Sequence, residues 1–324
     1  MTSLLKRLSV ASSLAFLAMA DVLEEPQSNG NCTSTEPETH PEQIEIRQRF
    51  AAKEKSTPWE LPAVPDNIDV YMHVIAASEA VSDGYIANET LTAQLDVINH
   101  HFRGVGFFFT QRNATWSIGR NWTYFRDEWT TKKTLRQGDY NALNLYYFKG
   151  ETKPIPEPGC PEAQQVSGNL GYCNYPTDEA VNFESDFMFD GCLVSVDTVP
   201  GGPRPNLNTG KMAVHEVGHW FGLSHTFQND DGLFCKGAGD VIDDTPPQRY
   251  ALSGCNATAN TCGDPRGDPI RNFMGYSDDA CKEEFTPGQI RRMRSYWDFR
   301  KSINQQIEDR RRPDGTPDWI WGER

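Results

Sequence analysis

The stretch HEVGHWFGLSH, residues 215–225, decides how this chain is interpreted, because it holds three of the seven histidines. Residues four positions apart on an α-helix share a face, so His215 and His219 are predicted to direct two imidazoles at one point. Glu216 is rotated from His215 by about 100°, so its carboxylate can reach a water molecule on a bound metal without ligating the metal. The spacing therefore predicts half of a tetrahedral metal site with an acid beside it.

Gly222 and His225 supply the rest of the predicted site. Glycine tolerates the left-handed conformation that ends a helix, and only a turn at Gly222 allows His225 to meet the same metal. A bare HExxH arises by chance in ordinary helices, but these two further residues at the right steps favour a zinc site. Three histidine nitrogens leave a fourth position open for water, as in catalytic zinc centres. We therefore expect one Zn²⁺ per chain.

The N-terminus has the pattern of a secretory signal peptide. Lys6 and Arg7 precede an apolar run over residues 8–17, and small residues follow at 18–20. A membrane anchor is the alternative, but the run is too short and no second apolar stretch of about 18 residues follows. We expect residues 1–20 to be removed, which leaves a secreted, extracellular chain that begins near Asp21.

Other features agree with export. Sequons for N-glycosylation occur at Asn31, Asn88, Asn113, Asn121 and Asn256. Loss of the signal peptide reduces Lys and Arg from 31 to 29 against 45 acidic residues, which gives a net charge of −16. This charge argues against nucleic acid or an anionic membrane as a partner. We expect a monomer without a membrane anchor.

Strand and helix patterns alternate along the chain, which indicates an α/β layer structure. Residues 68–76 alternate as in a strand, and residues 89–102 have the period of an amphipathic helix. Further strands are expected at 106–111, 144–148, 170–175 and 191–196, and further helices at 208–222 and from Pro287. Thr286 and Gln289 form a predicted capping box at the start of the last helix.

The same patterns suggest domain boundaries. Residues 21–56 are polar and are interpreted as a leader or prosegment packed on a domain. A catalytic domain is expected at 57–301, with an N-terminal subdomain to about residue 222 and a C-terminal subdomain at 223–301. Residues 302–324 are expected to form a C-terminal tail.

The motifs together resemble those of a known family. HEVGHWFGLSH matches the HExxHxxGxxH signature of metzincin zinc endopeptidases, and NFMGYSDDACKEEFTPGQIRRM (272–293) supplies the expected Met-turn. Together with VDTVPGG, HTFQ and DDTP, these motifs resemble those of the pappalysin family, especially of its fungal secreted members. The resemblance extends from about Ile68 to Arg300. The resemblance implies an α+β zincin with a twisted mixed β-sheet and an active-site helix above a loop-rich, disulfide-stapled C-terminal subdomain.

The resemblance also implies roles. His215, His219 and His225 match the zinc ligands, Glu216 the general base that activates a zinc-bound water, Met274 the floor below the metal, and Tyr276 a donor to the developing oxyanion. A buried tyrosine that merely satisfies its hydroxyl is the alternative for Tyr276. The expected substrates are proteins or peptides, which bind in an extended conformation along a sheet edge near NLGYCNYP (169–176).

Eight cysteines in an exported chain indicate disulfides. The four cysteines after the zinc motif allow three pairings, and the resemblance suggests Cys235 with Cys262 and Cys255 with Cys281. Cys173 and Cys192 lie on neighbouring predicted strands and form a third expected pair. Two interpretations of Cys32 stay open: a disulfide with Cys160, or a latency switch whose thiolate occupies the open zinc position until cleavage near Lys53 or Lys55.

The remaining polar clusters are open to two interpretations. The acidic stretch at 229–246 could bind Ca²⁺, although acidic loops are more often simply solvated. His73, inside an apolar strand, is expected to be a hydrogen-bonded core residue, and His100 and His101 are expected at a helix end.

Rival functions are a catalytically silent secreted binding protein of the same fold and a zinc-stapled structural glycoprotein. The first would lack Glu216 or a histidine, and the second would need four protein ligands.

Overall fold

The computed structural model describes residues 41–119, 128–149, 170–230, 232–312 and 314–318. Within these residues the helices are α1 (Pro41–Ser56), α2 (Asn88–Phe102), α3 (Glu128–Leu135), α4 (Glu184–Phe189), α5 (Lys211–Trp220) and α6 (Pro287–Asp309). The strands are β1 (Asp66–Ala76), β2 (Phe107–Ile118), β3 (Leu143–Phe148), β4 (Gly171–Cys173) and β5 (Cys192–Ser195). Each of the strands expected from the sequence is present, with shifted ends.

The five strands form one mixed sheet in the order β2-β1-β3-β5-β4. Strand β1 pairs in parallel with β2 and β3, and β3 pairs in parallel with β5. Strand β4 runs antiparallel to β5 at the end of the sheet. This arrangement confirms the mixed α/β zincin-like fold expected from the resemblance.

The main core lies between the sheet and helices α2, α5 and α6. Apolar side chains of β1 alternate onto this face, where Leu91 and Phe102 of α2 and Val217 of α5 meet them. On the other face, Tyr146 and Leu193 pack with Leu135 of α3. The sheet is therefore covered on both faces, and α5 packs on one of them.

Helix α6 begins as predicted and ends later than expected. The Thr286 side chain accepts from the Gln289 backbone, and Gln289 bonds back to Thr286, so the predicted capping box is present. The helix continues past Lys301 to Asp309 because Ile303 and Ile307 bury their side chains against Tyr140 and its neighbours. Part of the segment expected to be a tail is thus helical.

Helix α1 lies in the segment expected to be a leader. It packs on α6, where Phe50 meets the Tyr296 ring edge to face at 4.7 Å. Lys53 and Lys55, near which the latency-switch interpretation puts cleavage, are exposed residues of its last turn. A protease binds extended backbone, so a cut there requires this turn to unwind.

Three disulfides lie within the described residues: Cys173–Cys192, Cys235–Cys262 and Cys255–Cys281. The first joins β4 to β5, and the other two close loops of the C-terminal region. These are the pairings that the sequence and the resemblance implied.

Candidate metal centre

Helix α5 carries the first two histidines of the candidate site. It runs from Lys211 to Trp220, three residues shorter at its start than expected, because Gly210 adopts a left-handed φ of 84°. His215 and His219 are buried, at 2% and 6% exposure. Their separation by one helical turn brings the two imidazoles together, with ring centroids 4.7 Å apart.

The turn after α5 brings the third histidine back. Gly222 has a φ of 81° and donates its N–H to the His219 carbonyl, and Leu223 donates to the Gly218 carbonyl. These two bonds form a Schellman motif, which satisfies the last helical carbonyls and reverses the chain. His225 follows this turn and is 5% exposed. The predicted role of Gly222 in ending the helix is confirmed.

The three imidazoles converge on one point. The Nε2 atoms of His215, His219 and His225 lie 3.1 Å from one another. Nδ1 of His215 lies 2.7 Å from the Phe273 carbonyl oxygen, and Nδ1 of His219 lies 2.7 Å from that of Leu223. A carbonyl can only accept, so both Nδ1 atoms carry the proton, and both Nε2 atoms present lone pairs.

This donor set fits a tetrahedral metal ion. Lone pairs that face each other at this distance repel unless a cation lies between them, and nitrogens bound to one zinc at about 2.0–2.1 Å are themselves about 3.3 Å apart. The pKa of His215 lies well below its usual value because of burial and because of repulsion from His219 and His225. The unprotonated form that metal binding requires is thus the favoured form. Among the described residues, these three form the group that could hold a metal ion.

Glu216 lies directly beside this centre. Its side chain is 3% exposed and faces β4, where the Gly171 backbone is its close neighbour. The nearly fully buried ammonium of Lys282 is a nearby positive charge. Burial lowers the pKa of Lys282 to about 8, against the attraction of Asp279 and Glu216, which acts to raise it. The site therefore contains a buried carboxyl group next to the three imidazoles.

Met274, the predicted Met-turn residue, packs against the helix that carries two of the histidines. The Asn272 side chain accepts from the Met274 backbone at 2.9 Å, and the Met274 carbonyl accepts from Thr226 at 3.2 Å. A Cβ atom on Gly218 would lie 2.5 Å from the Met274 sulfur, so helix and turn are in close contact. Gly218, which lies between the two helical histidines, thus leaves the space that the Met274 side chain occupies.

Two tyrosines border the site. The Tyr276 ring is half-buried, 4.9 Å from the His225 ring and 5.7 Å from that of His215. The Tyr175 hydroxyl lies 3.3 Å from Nδ1 of His219. Sequence reasoning missed Tyr175 because no spacing links it to the histidine motif; its position in the expected substrate strand was the available signal.

The other predicted polar residues lie away from the centre. His73 is fully buried and bonds Thr115 and Asn144, and burial lowers its pKa to about 4, which confirms a core role. His100 and His101 end α2, as expected.

Carboxylates of the acidic loop bind protein groups. Asp230 pairs with Arg47, Asp243 pairs with Lys55, and Asp244 accepts from the α6 start at Thr286 and Gly288. Calcium binding therefore gains no support from these described residues.

The predicted sequon residues Asn88, Asn113 and Asn256 are exposed. Cys32, Cys160, Asn31, Asn121 and residues 1–20 lie outside the described residues.

Several known proteins are similar to this chain in sequence or in fold. A family model described as peptidase M43, pregnancy-associated plasma protein-A, matches residues 163–298. An extracellular metalloprotease of Podospora anserina is 38% identical over 306 residues, which cover 90% of this chain and 97% of that protein. An extracellular metalloprotease of Colletotrichum graminicola is 40% identical over 293 residues, covering 89% and 96%. The chain belongs to the peptidase M43 family.

Membership of the peptidase M43 family, the pappalysins, makes the chain a metallopeptidase and confirms the resemblance found in its motifs. Mature mirolysin of Tannerella forsythia in complex with a cleaved peptide superposes with a TM-score of 0.59 at 24% identity, covering 76% of this chain and 96% of that chain. A promirolysin variant gives 0.62 at 22% identity, covering 82% and 90%. These structures share the fold of this M43 peptidase. Its described helices include none that is long and apolar enough to cross a membrane.

Proposed function

We propose that this chain is a secreted zinc endopeptidase in which His215, His219 and His225 ligate zinc and Glu216 acts as the general base. The observation that carries the proposal is the convergence of the three Nε2 atoms at 3.1 Å, with Nδ1 of His215 and His219 held by carbonyls. Those carbonyl bonds fix the orientation and the tautomer of both rings, as hydrogen bonds to metal-ligating histidines do in zinc enzymes. Family membership supplies the peptide bond as substrate.

The residues divide the chemistry among them. When bound, zinc supplies a Lewis acid that acidifies a water molecule and polarises the scissile carbonyl. Glu216 accepts the water proton as the C–O bond forms, and its carboxyl returns a proton to the leaving nitrogen as the C–N bond breaks. Tyr276, whose ring lies beside two of the histidines, is proposed to donate to the oxyanion.

The substrate is proposed to bind along β4. This strand is the last of the described sheet and pairs with β5 on one side. An extended peptide gains main-chain hydrogen bonds by adding a strand at such an edge. The contact between Gly171 and Glu216 sets this edge beside the proposed base.

The Glu216→Ala variant tests the proposal. We expect it to retain one zinc per chain and to lose peptide hydrolysis by about 10²-fold to 10⁴-fold, the usual contribution of a general base. Turnover of a quenched peptide library and elemental analysis measure the two quantities. Glu79→Ala removes an exposed carboxylate and should leave both unchanged.

Three outcomes would contradict the proposal. Near-normal hydrolysis by Glu216→Ala would exclude the residue as base. If the wild type still hydrolysed peptides in the presence of 1,10-phenanthroline, a role of the metal in the reaction would be excluded. A wild type that binds peptides without cleaving them would instead favour the silent binding protein.

The remaining predictions concern processing, domain boundaries and oligomeric state. Removal of residues 1–20, use of the sequons, the 57–301 catalytic domain and the monomeric state are part of the proposal. For Cys32, mass mapping of the purified proform distinguishes the alternatives, because a peptide crosslinked to Cys160 excludes the latency switch.

A further inference from the structure

The Glu216 carboxylate lies against the backbone of β4 at a residue that has no side chain. A Cβ atom on Gly171 would lie 2.7 Å from Oε1 of Glu216 and 2.9 Å from its Cδ and Cγ. Atoms at these distances overlap, so a side chain at residue 171 and the present position of Glu216 exclude each other.

The backbone itself does not demand glycine here. Gly171 does not have a positive φ, whereas Gly222 has a φ of 81°. Any L-amino acid can adopt the conformation of Gly171. The requirement for glycine therefore comes from the space that Glu216 occupies.

The overlap could be relieved if the strand or the helix moved, but both are tied at this point. The Cys173–Cys192 disulfide joins β4 to β5, and its sulfurs lie 2.6 and 3.7 Å from the Glu216 carbonyl oxygen. The Leu170 carbonyl accepts from Ser195 at 2.8 Å, which holds the other end of the strand. A Cβ atom at residue 171 would therefore act on the Glu216 side chain, which is the group that it would meet.

We propose that Gly171 is a positioning residue for the Glu216 carboxylate, because its missing side chain provides the space in which the base is held between β4 and the metal centre. The inference rests on the proposed function of Glu216. It links the two roles of β4: the strand that is proposed to bind the peptide also fixes the base that acts on it. A displacement of about 1 Å in a catalytic group costs about 100-fold in rate.

The Gly171→Ala variant tests this inference. We expect kcat to fall about 100-fold with KM unchanged within about twofold, because the base moves while the peptide-binding edge stays in place. Zinc content and the thermal unfolding midpoint should remain those of the wild type. A crystal structure of the variant should show the Glu216 carboxylate displaced from residue 171. Gly104→Ala is the matched control, since a Cβ atom there meets nothing within 4 Å.

The Glu216→Ala background separates this inference from the proposed function. With the carboxylate gone, Gly171→Ala should cause no further loss of the residual turnover. An equal loss in that background, a raised KM with normal kcat, or an unmoved Glu216 carboxylate in the crystal would overturn the positioning role. Near-normal turnover by Glu216→Ala alone would overturn the proposed function instead, whatever the effect of Gly171→Ala on turnover.

Discussion

At the residue scale, the buried ionisable groups take the protonation state that their surroundings allow. His215 and His73 are held neutral by burial, which suits one for metal binding and the other for a bond to Asn144. Asp240 is the acidic counterpart. Burial raises its pKa to about 7, although the Ile242 backbone N–H, which donates to its carboxyl at 3.1 Å, acts to lower it.

Asp240→Asn should therefore change the dependence of stability on pH. The unfolded carboxyl loses its proton near pH 4, whereas the folded one keeps it to about pH 7. The stability that protonated Asp240 contributes is thus complete below pH 4 and is lost as pH rises through 7.

Relative to the wild type, Asp240→Asn is expected to gain about 2 to 4 kcal/mol in the free energy of unfolding at pH 8, and little at pH 4. Urea denaturation at both pH values measures this difference. Asp243→Asn, in the same loop with a side chain that is 77% exposed, is the control and should change neither value. A gain of the same size at both pH values would show that Asp240 is ionised throughout.

At the element scale, α6 holds the end of the active-site helix. The Arg300 guanidinium is fully buried, bonds the Trp220 carbonyl at 3.2 Å and lies over the Trp220 ring at 3.8 Å. Asp190 completes the arrangement, with an ion pair to Arg300 at 3.0 Å and a bond from the Trp220 indole at 3.3 Å. The C-terminus of α5, from which the chain turns toward His225, is thus fixed by a charge of α6 and by that of the residue after α4.

Arg300→Met should be strongly destabilising, because it leaves the Asp190 carboxylate buried with a weaker partner in Arg136 at 3.5 Å. Loss of one partner of a buried ion pair costs about 3 to 5 kcal/mol in the free energy of unfolding. Chemical denaturation of the zinc-loaded protein measures it. Lys301→Met, next along α6 and paired with Asp298 at the surface, should cost less than about 1 kcal/mol. Equal costs for the two variants would exclude a special role for Arg300.

At the scale of the whole molecule, the N-terminal helix is connected to the loop of the third histidine. Arg47 of α1 is 1% exposed, pairs with Asp230 at 2.7 Å and bonds the Ser224 side chain, which precedes His225. Phe50 packs on Tyr296, whose ring in turn occupies the space beside Gly222. Helix α1 therefore buttresses the turn that returns the chain to the metal centre.

Arg47→Met should weaken zinc binding as well as stability. With the guanidinium gone, Asp230 and Ser224 lose their partner and His225 is held less firmly, and loss of groups that orient metal ligands lowers affinity by about tenfold or more. Competition for zinc with a chelator measures the affinity, and thermal unfolding measures the stability. Arg49→Met, which removes an exposed arginine of the same helix, should alter neither. Unchanged zinc affinity in Arg47→Met would restrict α1 to a purely structural role.

Local patterns predicted much of the fold. The period of residues 89–102 and the capping box at Thr286 depend on neighbours within a turn or two, and both are present. Helix ends were less accurate where distant residues decide them: α6 extends to Asp309 because Ile303 and Ile307 are buried by other elements.

The sequence by itself determined the metal chemistry, because His215, His219 and Gly222 act through helix periodicity and turn geometry, which are local. Only the tertiary structure decided what holds that chemistry in place. Arg47 and Ser224 are 177 residues apart, and no spacing rule links Gly171 to Glu216. Such pairs meet because the sheet, the disulfide and the packed helices bring distant segments together, and steric fit between distant segments leaves no periodic trace in a single sequence.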